Sequence, residues 1–60
     1  AIKELYKLIN RLNGVEKAII LLYLEERSYD EIAQIVGITK SNVGVRINRL
    51  KEKLSQMSNN

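Results

Sequence analysis

Several residue types are missing from this chain, and each absence excludes a class of site. The 60 residues include no cysteine and no histidine, so the chain forms neither a disulfide bond nor a zinc site with the usual sulfur and nitrogen ligands. The seven acidic residues lack the spacing of a calcium-binding loop, and the three glycines lack that of a phosphate-binding or dinucleotide-binding loop. We therefore expect a protein that is not an enzyme and that holds no metal and no cofactor.

A long apolar run is also missing. The longest run, residues 18–24, is far below the roughly 20 residues that a membrane-spanning helix needs, so we expect no membrane partner. A chain of 60 residues is enough for one domain of a few packed elements. It begins on Ala1, inside a helical pattern and without an initiating methionine. We therefore expect a single domain over residues 1–60 that is a fragment of a longer protein.

Positive charge is concentrated in the second half of the chain. Residues 1–30 carry five basic and five acidic side chains, whereas residues 31–60 carry five basic side chains against Glu31 and Glu52, which accounts for the net charge of +3. Clustered lysines and arginines gain free energy when they release counterions from a phosphate backbone. The distribution favours a polyanion as partner, and a solvated basic helix is the alternative that charge alone leaves open.

The first half of the sequence predicts two helices. Apolar residues recur three or four positions apart in the first helix, as an amphipathic helix requires. They are Ile2, Leu5, Tyr6, Leu8, Ile9 and Leu12. Asn13 followed by Glu16 forms a capping-box pattern, which predicts a second helix that runs to about Glu26. Residues 18–24 are apolar on every side of that helix, which favours a central position and leaves open a surface that faces a partner.

The second half predicts two more helices. Ser28 with Glu31 repeats the capping-box pattern at the start of the third helix, and Gly37 ends it by supplying a left-handed conformation. Thr39 then caps a fourth helix, which we expect to fray into a polar tail at residues 55–60. The residues predicted to face the core from these helices are Ile32, Ala33, Val36, Val43, Ile47, Leu50 and Leu54. The predicted fold is all-α, with four helices and no wing.

The last two helices match the helix-turn-helix pattern. Its positions are Ala33, Gly37 and Val43. A small side chain is needed where two helices cross steeply, a glycine where the chain reverses, and an apolar anchor that holds the second helix in place. The fourth helix would then turn its remaining face toward the major groove of DNA.

The exposed face of the fourth helix carries the candidate contacts to bases. At about 100° per residue, Ser41, Val45 and Asn48 point away from the buried stripe. A serine hydroxyl, an apolar contact to the methyl group of thymine and an amide that pairs with adenine are suited to reading base edges. Gly44 lies within the same helix, and we interpret it either as a close approach to the sugar-phosphate backbone or as a position without a role.

Candidate contacts to phosphates surround this face. They comprise basic side chains along its flanks and groups at two helix N-termini, where backbone amides and the helix dipole favour an anion. The candidates are Ser28, Tyr29, Thr39, Lys40, Arg46, Arg49 and Lys53. Asp30 and Glu31 would oppose a phosphate near the third helix. We interpret them as cap and dipole partners that are turned aside.

These segments resemble region four of bacterial sigma factors, most closely the extracytoplasmic-function type. The strings that carry the resemblance are LYKLINRL, EKAIILLYLEE, SYDEIAQIVGIT and VRINRLKEKL, which together span nearly the whole chain. The resemblance implies a cytoplasmic bacterial domain that acts in transcription initiation. Its fourth helix would bind the upstream (minus-35) promoter element of double-stranded DNA, and its first helices would hold the β flap of RNA polymerase. An anti-sigma factor is a further partner that the family suggests.

Individual positions of the fourth helix also match this family. Arg46 and Arg49 match two arginines of the family's recognition helix, and Lys53 matches its basic end. The family often has a lysine where this chain has Gly44 and a serine where it has Val45. These departures affect the promoter sequence that we expect the domain to prefer, and they leave the expected fold unchanged.

Two other functions remain open on the sequence. The output domains of response regulators and quorum-type transcription factors share the string EIA, the glycine turn and a closing KL. Such domains usually dimerise through an added helix, which we expect the final SQMSNN to be too short to provide. The third hypothesis is a protein-interaction module, in which the apolar second helix docks a polymerase segment or an anti-sigma protein.

Overall fold

The computed structural model describes residues 2–58, and the side chain of Ile2 lies outside that description. Four helices follow one another: α1 (Ile2–Asn10), α2 (Gly14–Leu24), α3 (Tyr29–Val36) and α4 (Lys40–Ser58). The described residues include no strand, so the all-α prediction with four helices is confirmed. None of these helices is both long and apolar enough to cross a membrane, as judged over residues 2–58.

The helix starts follow the capping signals in the sequence. The Asn13 side chain accepts a hydrogen bond from the backbone N–H of Glu16 at 2.8 Å, and the Glu16 carboxylate accepts one from the backbone N–H of Asn13 at 3.3 Å. Ser28 and Glu31 form the same pair of bonds at the start of α3. These bonds satisfy backbone donors that have no partner within the helix. Both predicted capping boxes are therefore confirmed.

Two helix ends differ from the predictions. α2 ends at Leu24 because Glu26 has a left-handed backbone with φ of 64°, and the backbone N–H of Arg27 donates to the carbonyl of Leu22 at 3.1 Å. This bond pattern usually places glycine in the left-handed position, so a glutamate there gave no stop signal.

α4 continues to Ser58, so residues 55–58 are helical and their predicted fraying is wrong. Residues 59 and 60 of the predicted tail lie outside the described residues.

The core lies between α2 and α4, each of which packs against the other three helices. Its buried residues are Ile9, Leu12, Ile19, Ile20, Ile32, Ala33, Val43, Ile47 and Leu50. The predicted apolar stripe of α4 is therefore inside, with Leu54 half-buried at its end. Tyr6 was predicted to face inward from α1 but is half exposed. α2 buries Ile19 and Ile20 and leaves 43% of Leu24 exposed, so its apolar surface is only partly covered by the core.

Candidate nucleic-acid interface

The turn between α3 and α4 sets the orientation of the candidate interface. Gly37 adopts φ of 83°, and the backbone N–H groups of Gly37 and Ile38 both donate to the carbonyl of Ala33, which closes α3. Thr39 caps α4 by accepting a hydrogen bond from the backbone N–H of Asn42 at 3.1 Å. Ala33 and Val43 are both buried where the two helices meet. α4 is therefore held by its apolar side, and its opposite side faces solvent.

The three candidate base-contacting residues lie on this solvent side. Ser41, Val45 and Asn48 are all exposed, whereas Val43 and Ile47, which alternate with them along the helix, are buried. Val45 is the apolar member of this set, with 46% of its surface exposed. The face is thus free to contact a ligand, and we refer to Ser41, Val45 and Asn48 below as the reading face.

One flank of the reading face lies beside α3. Lys40 begins α4 there, and its Nζ lies 3.5 Å from a carboxylate oxygen of Asp30. Asp30 lies in the first turn of α3, as the interpretation as a dipole partner requires, but its carboxylate pairs with Lys40 instead of turning away from the candidate cations. For Glu31 the interpretation as a cap partner is confirmed, because its carboxylate bonds to Ser28 and also pairs with Arg27 at 3.4 Å. The backbone N–H and the hydroxyl of Ser28 hold the pKa of Glu31 below its usual value.

The other flank faces a cleft between α2 and α4. Arg46, Arg49 and Lys53 line this cleft together with Glu16 and Ile19 of α2. The Nζ of Lys53 lies 3.3 Å from one carboxylate oxygen of Glu16 and 3.4 Å from the other. Within residues 2–58, neither arginine forms an ion pair. Their guanidinium groups are therefore available to an anion that approaches this flank.

Tyr29 of α3 packs against the glycine within α4. A Cβ atom on Gly44 would lie 3.4 Å from Cε2 of Tyr29, so the tyrosine ring packs directly against the helix at this point. Gly44 therefore meets a side chain of α3, a role that neither sequence interpretation of this glycine included. Ser28 and Tyr29 mark the N-terminus of α3, and Thr39 marks that of α4, so the helix N-termini named as candidates border the flank that carries Lys40.

Sequence reasoning missed the acidic side chains that accompany the candidate cations. Glu16 and Lys53 lie 37 residues apart, and no local pattern links them. It also missed Lys51, whose Nζ lies 4.8 Å from the centroid of the Tyr23 ring. Hydrogen bonding to the side chain of Tyr23 raises the pKa of Lys51. Lys51 therefore contacts the C-terminal part of α2 and does not line the cleft that holds Arg46 and Arg49.

Comparison with known proteins assigns the chain to a family. No curated protein and no solved structure matches it. The family model described as "Sigma-70, region 4" matches residues 2–54, which include α1, α2, α3, α4 as far as Leu54 and every candidate residue named above. The chain therefore belongs to the sigma-70 region 4 family of helix-turn-helix, DNA-binding domains, which are not enzymes and which serve sigma factors in promoter recognition with RNA polymerase.

Proposed function

We propose that this domain recognises the upstream (minus-35) promoter element by inserting α4 into the major groove of double-stranded DNA. The arrangement of α4 carries the proposal: the reading face is exposed, and basic side chains lie along both of its flanks. An α-helix fits the major groove, which is bordered by a row of phosphates on each side. Lys40 would contact one row, and Arg46, Arg49 and Lys53 would contact the other.

The reading face supplies three different contacts to base edges. Asn48 would pair with an adenine through its amide, Ser41 would bond to a base through its hydroxyl, and Val45 would contact the methyl group of a thymine. Glu52 lies on the same side of α4, two turns beyond Val45, and its charge would repel phosphates. The surface that contacts bases would therefore be confined to the first turns of α4.

The N-termini of α3 and α4 would add contacts to the row of phosphates beside Lys40. Their backbone N–H groups and the positive end of each helix dipole favour a negative charge. Ser28 and Thr39 cap these two N-termini, and Tyr29 is the remaining candidate, through its hydroxyl. Such contacts would hold the register of α4 on the duplex without reading its sequence.

A second surface supports a second role in the same protein. An apolar groove lies among α1, α2 and the end of α4, on the side of α4 that carries Lys51. Its apolar lining residues are Leu5, Leu8, Ile20, Tyr23, Leu24 and Leu54. We propose that this groove holds the β flap of RNA polymerase. A fragment of the flap should then bind equally well after Lys40, Arg46 and Arg49 are replaced by alanine, and loss of flap binding in that variant would contradict separate surfaces.

The family suggests a setting for these two contacts. We propose a sigma factor of the extracytoplasmic-function type that directs RNA polymerase to promoters in the bacterial cytoplasm, with an anti-sigma factor as a candidate inhibitor. The family match supports this function over that of a response regulator or a quorum-type activator. A sigma factor domain and a dimeric activator select different DNA. The dimeric activator binds paired half-sites, whereas a single domain binds one site.

Selection from a pool of randomised DNA duplexes tests the proposed recognition of bases. We expect the 60-residue chain to enrich one short sequence motif that occurs singly and not as two half-sites. With Asn48→Ala we expect the same motif with one base pair no longer preferred, because loss of a bidentate contact costs about 1–3 kcal/mol of discrimination at that position alone. Sequencing of the bound pool after each round measures both results.

Three outcomes of this selection are informative. An unchanged motif in the Asn48→Ala variant would remove Asn48 from the base contacts. Enrichment of paired half-sites would favour the dimeric activator. A pool that stays random with the parent chain would contradict sequence recognition by α4. Glu4→Gln is a suitable control, because Glu4 lines the apolar groove beside Leu54 and Ser58 rather than the reading face.

A further inference from the structure

Two acidic side chains lie beside the cations that flank the reading face, one on each flank. Asp30 extends from the first turn of α3 to within 3.5 Å of Lys40. Glu16 extends from the first turn of α2 to within 3.3 Å of Lys53. By helical rotation of about 100° per residue, Lys40 and Lys53 lie on opposite flanks of α4. Both lysines that we propose as phosphate contacts are therefore already neighbours of a carboxylate.

We infer that Glu16 and Asp30 are internal competitors of the DNA backbone and that they lower the affinity of this domain for duplex DNA. The inference rests on the proposed insertion of α4 into the major groove. A phosphate that approaches either lysine would meet a carboxylate of like charge beside it. Like charges at such distances repel one another, and this repulsion offsets part of the attraction to the lysine.

Glu16 is the stronger competitor because its carboxylate is held in place. The same group accepts the hydrogen bond from the backbone N–H of Asn13 that closes the capping box of α2. Only 23% of the Glu16 side chain is exposed, and it lies in the cleft lined by Arg46 and Arg49. Movement of the carboxylate away from an incoming phosphate would break this hydrogen bond. Asp30 is far more exposed, and water screens its charge more strongly.

This arrangement divides the cations of α4 into two kinds. The guanidinium groups of Arg46 and Arg49 form no ion pair within residues 2–58, so no carboxylate pairs with them directly, although Glu16 lines the same cleft. Lys40 and Lys53 attract phosphate more weakly, because the carboxylate beside each lysine offsets part of its positive charge. The isolated domain would then bind DNA weakly, and it would occupy a promoter chiefly when RNA polymerase holds it near the DNA at high effective concentration.

Neutralising each acid without changing its shape tests the inference. With a labelled duplex of mixed sequence at about 0.05 M salt, we expect Glu16→Gln to tighten binding roughly two- to fivefold and Asp30→Asn to have a smaller effect. The double variant should show the product of the two effects, because the two pairs share no residue. At about 0.5 M salt the gains should largely disappear, since exposed charges are then screened within a few ångströms.

The variants are designed to leave the fold unchanged. Glutamine at position 16 still accepts the capping hydrogen bond, so the start of α2 should be preserved, and thermal unfolding measures this directly. Glu4→Gln removes the same charge on the side of the molecule away from the reading face, and it should change the affinity less than Glu16→Gln does. Fluorescence anisotropy titrations of the parent and the four variants give the comparison.

Each result decides between the inference and its alternatives. Equal gains from Glu16→Gln and Glu4→Gln would show that net charge matters and position does not, which overturns the inference. Weaker binding by Glu16→Gln would also overturn it, because the ion pair would then hold Lys53 in place for the phosphate. Unchanged affinity in both single variants would overturn this inference and leave the proposed function standing. If neither the parent chain nor any variant binds the duplex, the proposed function fails as well.

Discussion

Replacing Ile47 by alanine is expected to unfold a large share of the molecules at 25 °C. Ile47 is completely buried at the centre of the α4 stripe. Truncation of a buried isoleucine to alanine costs about 2–5 kcal/mol, because it removes apolar contacts and leaves a cavity. A single core in a chain of this size rarely supplies more than about 3–5 kcal/mol of stability. Urea unfolding followed by circular dichroism measures the change in the free energy of unfolding.

Ile35→Ala provides the matched control for this prediction. It makes the same chemical change in the neighbouring helix, but 61% of the Ile35 side chain is exposed. We expect its free energy of unfolding to change by less than about 0.5 kcal/mol. Ile47→Val should fall between the two, at about 0.5–1.5 kcal/mol. A parent-like unfolding midpoint for Ile47→Ala would mean that α4 is not anchored by this residue, and the orientation of the reading face would lose its basis.

The combined substitution Arg46→Ala/Arg49→Ala is expected to weaken duplex binding roughly 30- to 1,000-fold, which corresponds to about 2–4 kcal/mol. Both arginines are exposed on the cleft flank, and neither is neutralised by an acid within residues 2–58. For the parent chain we expect a log-log slope of affinity against salt of about −3 to −4, from roughly four neutralised phosphates. Loss of two arginines should make this slope shallower by about two.

Lys7→Ala/Arg11→Ala is the matched control for the arginine pair. It removes the same charge from two exposed positions, Lys7 on α1 and Arg11 just after it, which lie beside Met57 and Ser58 at the far end of α4. Its affinity and salt slope should stay close to those of the parent. Equal losses of affinity in the two double variants would indicate that the domain binds DNA through its net charge alone. A parent affinity that does not respond to salt would contradict the phosphate contacts altogether.

The sequence predicted the helices well because their signals are local. A capping box such as Ser28 with Glu31 is complete within one helical turn, so its residues report on the structure irrespective of the rest of the chain. The buried stripe of α4 follows from helical periodicity in the same way. The end of α2 was misplaced because Glu26 adopts the left-handed conformation without being a glycine. The end of α4 was misplaced because its polar sequence carries no sign of its packing beside α1.

The candidate interface could be predicted only in part. Exposure of the reading face followed from periodicity, since the side opposite a buried stripe must face solvent. The partners of the flanking cations did not follow from it. Asp30 was expected to turn aside, yet it lies next to Lys40, and Gly44 meets the ring of Tyr29. Both contacts depend on how α3 crosses α4, which is a property of packing between helices.

The sequence alone determined four helices, a glycine turn between the last two and a basic helix with one apolar side. Hydrogen bonds within a turn and the burial of apolar stripes are sufficient for those features. Only the tertiary structure decided which charges meet. Glu16 and Lys53 approach each other because α2 and α4 pack side by side, and this packing depends on the shape of the whole core. Electrostatic contacts between distant residues are set by geometry that no local pattern encodes.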